Sequence, residues 1–324
     1  ITTHDTFSSP SFVNIIKNSQ VPLMLIADEV HAVGSDVRQD GLIPEYKFRI
    51  GLSATPSRYF DDEGTRALMS YFGRTIFEFP LEKAIPEFLT PYEYHPHFIE
   101  LNPNELEQYQ RETRKIATII SNMKKEPELR EVLDTLLVKR QKIITNAEGK
   151  IPKFREILDS TDNLHHCLIY CSERQLPTVQ EILNSKLIMQ HKFTAKESPA
   201  ERKLILAGFA SGKYKALPAI NCLDEGVDVP STETAIILAS SGNPKQFIQR
   251  RGRVLRKYPG KDHAIIHDII VIPTIHPNKE DPFFTFEQKI IQKELKRFEE
   301  MANSSLNPKE CLYKIGLIKR EYNL

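Results

Sequence analysis

Short apolar segments alternate with amphipathic segments through the second half of the chain, and this alternation restricts the fold most strongly. From Ile151 onward the sequence predicts strands in HCLIYCS, KALPAI, TAIILAS and AIIHDIIVI, and a short strand near His191. It predicts helices beginning at Gln175, Pro199 and Pro244. Parallel strands need crossover connections, so strands separated by helices indicate an α/β fold with a parallel, doubly wound sheet.

In the first half, the stretch VPLMLIADEVHAVGS runs from a short apolar segment, Leu23 to Ala27, into the adjacent acids Asp28 and Glu29. An apolar run that ends in a polar turn is typical of a buried parallel strand whose carboxyl end opens onto a ligand crevice. Alone, an Asp-Glu pair is more often the acidic start of a helix. The interpretation as a site therefore depends on the motifs around it.

Length and composition set the limits. A chain of 324 residues suits two domains with connecting helices. Lys plus Arg number 44 against 43 for Asp plus Glu, so any surface that binds nucleic acid must be local. No apolar run approaches a membrane span, and no signal peptide is visible, so we expect no membrane partner. Metal-ligand spacing is absent among Cys167, Cys171, Cys222 and Cys311, which favours buried thiols in a reducing cytoplasm.

Two further motifs follow predicted strands. In FRIGLSATPSRY, a strand ends in Ser53-Ala54-Thr55, about 25 residues after the acid pair. In NCLDEGVDVP, residues 221–230, Gly226 permits close approach of the backbone to a ligand and Asp228 follows it. Taken singly, the first is an ordinary turn before proline and the second a solvated acidic loop.

The stretch NPKQFIQRRGRVLRKYPGK, residues 243–261, is strongly basic. It contains seven Lys and Arg residues and no acid. Arg253 and Arg256 are three residues apart, so on a helix they would share a face and point at one anion. A planar guanidinium binds phosphate oxygens in a bidentate manner. In isolation this run would be a basic surface helix, but its place after the other motifs favours a phosphate site.

Together, the D-E-x-H sequence after an apolar strand, the Ser-Ala-Thr turn and the Gln-Arg-x-Gly-Arg-x-x-Arg sequence resemble the motifs of superfamily 2 DExH-box helicases. The resemblance extends from Ile1 to about Ile272 and is greatest to the Rad25-type and restriction-subunit branch, bacterial proteins that act on double-stranded DNA. It implies two RecA-like lobes that close on ATP, and ATP-driven translocation or strand separation. DNA, with duplex favoured, is the implied partner.

The resemblance assigns roles to residues of the first lobe. Asp28 would hold the Mg²⁺ ion that bridges the nucleotide phosphates, and Glu29 would orient and deprotonate the attacking water. His31 would couple hydrolysis to movement. Ser53, Ala54 and Thr55 would link this site to the other lobe.

The second lobe would contribute the rest of the nucleotide site. Arg253 and Arg256 would stabilise charge on the γ-phosphoryl group. Other nucleotide contacts would come from Gly226, Asp228 and Gln249. Nucleic-acid contacts would be made by Thr2, Thr3, Ser172 and Asn221.

We predict four segments. Residues 1–96 form the carboxyl-terminal part of the first lobe and 97–150 a helical connector; 151–272 form the second lobe and 273–324 a helical extension of unassigned role. In the connector, Asn102, Pro103 and Glu105 predict a capped helix start. We interpret the connector as a spacer with a solvated charged face; contact with a nucleic-acid backbone is the other interpretation.

The phosphate-cradling sequence G-x-x-x-x-G-K-[ST] is absent, and the sequence begins at Ile1 without a methionine. We expect the first half of lobe one to lie upstream, and this chain alone not to hydrolyse ATP. The favoured hypothesis is the carboxyl-terminal portion of a DNA helicase or translocase in repair, restriction or defence, with a nuclease or other subunit as partner. The alternatives are a degenerate, non-catalytic binding module of RecA-like fold and a DExH RNA helicase.

Overall fold

The computed structural model describes residues 1–54, 56, 61–122, 129–161, 164–220, 229, 231–239 and 252–324. The described residues divide into two compact units. The first contains those from Ile1 to Phe79, and the second contains those from Pro80 to Leu324.

The first unit is built on two parallel strands, β1 (Leu23–Ala27) and β2 (Tyr46–Gly51). Its α-helices are α1 (His4–Phe7), α2 (Pro10–Lys17) and α3 (Asp62–Phe72), and single 3₁₀ turns span Val30–Gly34 and Gln39–Gly41. A small core joins strands and helices through Phe7, Val13, Ala27, Val30, Val33, Ile43, Tyr46 and Leu68.

The apolar run of β1 predicted a strand that is buried on both faces. The structure shows that one face of β1 is exposed. Leu23 and Leu25 pack against the core, while Met24 and Ile26 are 51% and 61% exposed. Phe48 on β2 is 63% exposed. Among the described residues of this unit, only one face of the sheet is covered, so a pattern typical of a doubly covered strand here occupies a half-covered one.

The second unit is built on a five-stranded sheet in which every neighbouring pair is parallel. In spatial order its strands are β3 (Tyr92–Glu100), β7 (Ala264–Ile272), β6 (Thr234–Ile237), β4 (Cys167–Tyr170) and β5 (Ala216–Ala219). All residues of β4, β5 and β6 are buried. This sheet confirms the predicted parallel α/β fold.

The α-helices described in this unit are α4 (Leu81–Ala84), α5 (Pro103–Asn122), α6 (Arg130–Thr145), α7 (Lys150–Asp159), α8 (Leu176–Ser185), α9 (Pro199–Ala210), α10 (Phe284–Asn303) and α11 (Pro308–Glu321). The predicted cap of α5 is confirmed, because Glu105 N donates to Asn102 Oδ1 at 2.9 Å and Asn102 N to Glu105 Oε2 at 3.1 Å. The short strand predicted near His191 is wrong: only isolated bridges occur, at Gln190 and Phe193. The helix predicted from Pro244 begins outside the described residues.

Strand β3 corrects the predicted division of the chain. It pairs with β7 along nine residues, so residues 92–100 belong to the second sheet. The units therefore separate at Phe79 and Pro80 rather than at residue 96, and the α5–α6 pair lies within the second unit instead of joining two lobes. Polar residues and Pro96 obscured the strand pattern, and the proline is tolerated because β3 is an edge strand.

Residues 273–324 are an integral part of the second unit. Leu306 N donates to Tyr92 O at 2.8 Å. The side chain of Asn307 accepts from Tyr94 N and donates to Tyr94 O, both at 2.9 Å. These bonds satisfy backbone groups along the free edge of β3, which would otherwise be open to pairing with another strand.

Cys167, Cys171 and Cys311 are buried thiols, as predicted, and burial raises the pKa of the Cys167 thiol. Cys222 lies outside the described residues. Within the part of the chain that the structure describes, no helix is long and apolar enough to cross a membrane.

Candidate active site

The two acids of the DExH sequence occupy a tight turn at the carboxyl end of β1. Asp28 is the first residue after the strand, and its Oδ1 accepts from Glu29 N at 2.9 Å. Leu52 N donates to Ala27 O and Val30 N to Leu52 O, each at 2.8 Å. The chain after β2 therefore fixes the turn on both sides of the acid pair.

Glu29 has left-handed backbone angles, φ 48° and ψ 47°. Such angles in a residue with a Cβ atom cost on the order of 1–3 kcal/mol and persist only where neighbouring contacts enforce them. The bonds around Ala27, Val30 and Leu52 supply that enforcement. The turn thus fixes the direction in which the Glu29 side chain leaves the backbone.

His31 joins the DExH turn to the Ser-Ala-Thr turn. Its Nδ1 lies 2.9 Å from Ser53 Oγ and 3.4 Å from Glu29 Oε2, and its side chain is only 13% exposed. Ala54 is exposed, and Thr55 lies outside the described residues. The structure therefore brings together Glu29, His31 and Ser53, which are separated by up to 24 positions in the sequence.

His4 is a residue of this site that the sequence analysis missed. Its Nε2 lies 2.9 Å from the carbonyl oxygen of Asp28, so it donates to the backbone of the first acid. The signal was its place directly after the threonines in ITTHDTF. Thr3 caps α1 by accepting from Thr6 N at 3.2 Å, and Thr2 is exposed.

The described part of the basic run is a helical turn that ends at Val254. Arg256 lies beyond it, in an antiparallel bridge with Leu89. The spacing of Arg253 and Arg256 predicted that they share a face of one helix. This prediction is wrong, because pairing with Leu89 draws the chain out of the helix. Arg253 is half-buried and Arg256 is exposed, while Leu255 between them is fully buried.

Ser172 follows β4 in a local polar network. Its Oγ donates to Asn146 Oδ1 at 2.6 Å and accepts from Gln175 N at 3.2 Å. It is half-buried at the carboxyl edge of the second sheet. The remaining predicted site residues, Asn221, Gly226, Asp228 and Gln249, lie outside the described residues.

Lys150 is a second residue that sequence reasoning missed. It is fully buried, and its Nζ donates to Leu238 O at 2.5 Å, just after β6. Burial lowers its pKa to about 7, and the charges of Asp268 and Glu105 oppose that shift. Lys150 therefore ties the start of α7 to the carboxyl edge of the sheet; no motif marks this lysine in the sequence.

The described residues contain no cluster of three or more His, Cys, Asp or Glu side chains that could hold a metal ion. Mg²⁺ at nucleotide sites is bound by one or two carboxylates together with substrate phosphates and water. A single carboxylate at a strand end, as Asp28 provides, fits that donor set.

Comparison with known protein families supports the predicted class. Residues 149–258 match the helicase conserved C-terminal domain. Most of this match lies in the second unit, and the predicted resemblance to superfamily 2 helicases is confirmed.

Among curated proteins, the chain is 29% identical over 255 residues to the DNA 3'-5' translocase XPB2 of Sulfurisphaera tokodaii, covering 72% of this chain and 56% of that protein. It is 46% identical over 48 residues to Dicer-like protein 2 of Neurospora crassa, 15% of this chain and 3% of that protein. The chain thus spans about half of the first relative's length and little of the second's.

Among solved structures, the chain is similar to the ATP-dependent Type ISP restriction-modification enzyme LlaBIII bound to DNA. The TM-score is 0.55 at 14% identity, over 93% of this chain and 22% of that one. This likeness concerns the fold alone.

Proposed function

We propose that this chain is the carboxyl-terminal portion of an ATP-dependent DNA translocase or helicase, with Asp28, Glu29, Arg253 and Arg256 as catalytic residues. The helicase C-terminal domain and the similarity to XPB2, whose name identifies it as a DNA 3'-5' translocase, support the proposal.

The acids of the DExH turn take different roles. Asp28 stands at the strand end, where its carboxylate would hold Mg²⁺, and the bound ion would neutralise charge on the nucleotide phosphates. Glu29 would orient the attacking water and accept its proton. The left-handed backbone at Glu29 fixes where that carboxylate can reach, which suits a group that must meet one water molecule.

The arginines supply positive charge to the same reaction. A guanidinium stays protonated at any physiological pH and binds phosphate oxygens through a planar fork of donors. Arg253 and Arg256 would stabilise the charge that develops on the γ-phosphoryl group as its bond to the β-phosphate oxygen breaks.

The single observation that best supports this function is the hydrogen bond between His31 and Ser53. His31 also contacts Glu29, so displacement of the proposed base would be felt at the Ser-Ala-Thr turn. Such a connection suits a protein in which hydrolysis must change the path of the chain elsewhere. A module that only binds nucleic acid has no need of it.

The phosphate-cradling loop is absent from the 324 residues, and we propose that a longer form of the protein carries it. Without the loop's backbone amides and lysine, the β- and γ-phosphates lack their main anchor. We therefore propose that the 324-residue chain alone hydrolyses ATP negligibly.

The proposed partner is DNA, with duplex favoured. None of the assigned contact residues reads a base edge, so binding would be to the backbone. Affinity should tolerate changes of sequence and fall steeply as salt rises. We also propose that the protein is cytoplasmic and that it acts in repair, restriction or defence together with a partner subunit. Co-purification tests whether such a subunit binds.

The test uses the longer protein that includes the upstream loop. ATP turnover should rise on adding duplex DNA, and Glu29→Gln should lower kcat by about a hundredfold or more while ATP affinity stays nearly unchanged. Glu63→Gln, at an exposed position on α3, is the matched control.

Each alternative function predicts a different outcome in these assays. Stimulation by RNA but not by duplex DNA would replace the DNA assignment with an RNA helicase. Binding of DNA without turnover would favour the non-catalytic module. Unchanged turnover in Glu29→Gln would remove Glu29 from the site.

A further inference from the structure

The chain that follows Arg253 has an unusual arrangement of backbone hydrogen bonds. Three successive carbonyl oxygens, those of Val254, Leu255 and Arg256, are each bonded by groups from outside the helical turn. Lys261 Nζ donates to Val254 O and, at 3.1 Å, to Arg256 O. Thr90 N donates to Leu255 O at 2.7 Å, and Thr90 Oγ1 to Arg256 O at 3.3 Å.

The local sequence explains how Lys261 reaches these carbonyls. Tyr258-Pro-Gly-Lys261 forms a tight turn in which Lys261 N donates to Tyr258 O at 3.0 Å. Gly260 has φ 83°, as the third position of a type II turn requires, and proline favours the second position. The turn reverses the chain and returns the lysine side chain over the end of the helix.

Thr90 approaches from a different segment. Leu89 and Arg256 form an antiparallel bridge, which aligns Thr90 with Leu255. Thr90 is 1% exposed and Leu255 is fully buried, so their hydrogen bond is shielded from water. Thr90 therefore holds the backbone of the arginine segment in the interior of the unit.

These bonds satisfy carbonyl oxygens at the end of the helical turn. The last carbonyls of a helix lack partners within it, and a lysine side chain can satisfy them while its charge opposes the helix dipole. Burial lowers the pKa of Lys261 to about 8, and the charge of Glu233 opposes the shift. Lys261 is half-buried and bonds two carbonyl oxygens, so it differs from a fully solvated surface lysine.

We propose that Lys261 and Thr90 are positioning residues that fix the backbone on which Arg253 and Arg256 are carried. Neither is assigned a contact with the nucleotide. The catalytic consequence rests on the proposed function of the two arginines. If that backbone segment shifts by about 1 Å, a guanidinium loses its alignment with a phosphoryl group, which can cost about a hundredfold in rate.

The first test measures ATP turnover of the longer protein with duplex DNA. Lys261→Met should lower kcat at least about tenfold with little change in KM, whereas Lys261→Arg, which keeps a cationic donor, should retain most of the activity. Thr90→Val, which loses the hydroxyl but keeps the backbone N–H, should give a smaller loss. Lys203→Met, at an exposed lysine of α9, should match the parent protein.

A second readout needs no activity and uses the 324-residue chain. The amide of Thr90 should be protected from hydrogen exchange in the parent chain, in Lys261→Arg and in Lys203→Met. In Lys261→Met, exchange should accelerate at Thr90 and across Val254–Arg256, with the thermal midpoint of the whole chain little changed.

The two measurements distinguish failure of the proposed function from failure of the positioning role. If the parent protein shows no DNA-stimulated turnover, the proposed function fails, while the exchange experiment still tests the backbone network. If the parent turns over ATP and Lys261→Met has normal kcat, or if Thr90 is unprotected in the parent chain, the positioning role is overturned.

Discussion

The two units differ in how completely they bury a parallel sheet. Each is built on parallel strands, but the first has two strands with one face exposed and the second has five, of which three are buried along their full length. Ile26 of β1 is 61% exposed, whereas Ile236 of β6 is fully buried. The second unit therefore has the apolar burial that a stable parallel sheet requires, and the first has only part of it.

The candidate site residues follow the same contrast. Asp28 is exposed, and its turn is fixed mainly by backbone bonds and by His4 and His31. Arg256 is also exposed, but the carbonyls beside it are bonded by the buried Thr90 and by Lys261. The arginine segment therefore depends on the interior of its unit, and the acid turn on contacts close to the surface.

The largest expected effect is the loss of the fully buried Lys150 amine. Lys150→Met should lower the free energy of unfolding by about 3–5 kcal/mol, because it leaves Leu238 O without this donor and removes a charge that Asp268 attracts. Denaturant unfolding followed by far-ultraviolet circular dichroism measures this loss. Lys153→Met, at a lysine paired with the exposed Glu156, should change stability by less than about 1 kcal/mol. Equal effects would show that Lys150 is not a structural cation.

The next largest effect compares the two sheets directly. Ile236→Ala should cost about 2–5 kcal/mol because it opens a cavity in a packed core. Ile26→Ala removes an exposed side chain and should cost less than about 1 kcal/mol. The same unfolding measurement applies to both variants. A large loss in Ile26→Ala would mean that the outer face of β1 is covered in solution.

A smaller effect concerns the edge of the second sheet. Asn307→Ala removes two hydrogen bonds to the backbone of Tyr94, and should cost about 1–3 kcal/mol and increase self-association through the opened edge. Thermal unfolding and light scattering measure the two consequences. Asn303→Ala, at the exposed end of α10, is the control. If both variants behave alike, the residues after Ile272 do not protect β3.

The second sheet could be predicted well because most of its strands are short apolar runs separated by helices. Helix α9 begins at Pro199, as predicted, where Ser198 and Glu201 form a reciprocal cap. Strand β3 could not be predicted in the same way, because one of its faces carries the half-buried Glu93, His95 and His97 and its interior contains Pro96. Its pairing with β7, more than 160 residues away, is a long-range contact that local pattern does not encode.

The candidate site divides in the same manner. The acids, His31 and Ser53 belong to motifs with fixed local order, so the sequence identified them. His4, Lys150, Thr90 and Lys261 act through bonds to carbonyl oxygens, and any residue type can supply a carbonyl. Such partners depend on the folded path of the chain and carry no signature in the sequence.

The stability of the second unit should also depend on pH. His97 Nε2 and His267 Nδ1 lie 3.1 Å apart on β3 and β7. Burial lowers the pKa of His97 to about 4 and that of His267 to about 3, from an ordinary value of 6.5. Charged or titratable groups around the pair are Glu93 and His95 on β3, Lys153 and Glu156 on α7, and Lys314 on α11.

The sign follows from the lowered pKa values. Above pH 6.5 both states are neutral at these sites and the full stability is present; as pH falls from about 6.5 towards 3, the unfolded chain binds protons that the folded chain resists, and stability is lost. His267→Gln should flatten this part of the stability curve, whereas His276→Gln, at an exposed histidine, should leave it unchanged. A parent curve that is flat between pH 6.5 and 4 would contradict the prediction.

The central proposal is that Glu29 of the acid turn and Arg256 of the arginine segment both serve ATP hydrolysis. Its most direct test is a double-mutant cycle on DNA-stimulated kcat in the longer protein, with Glu29→Gln, Arg256→Gln and the double variant. We predict that each single change lowers kcat by about a hundredfold or more and that the double variant falls little further, because groups that serve one transition state are not additive. Multiplied losses in the double variant, or normal turnover in either single variant, would contradict the claim.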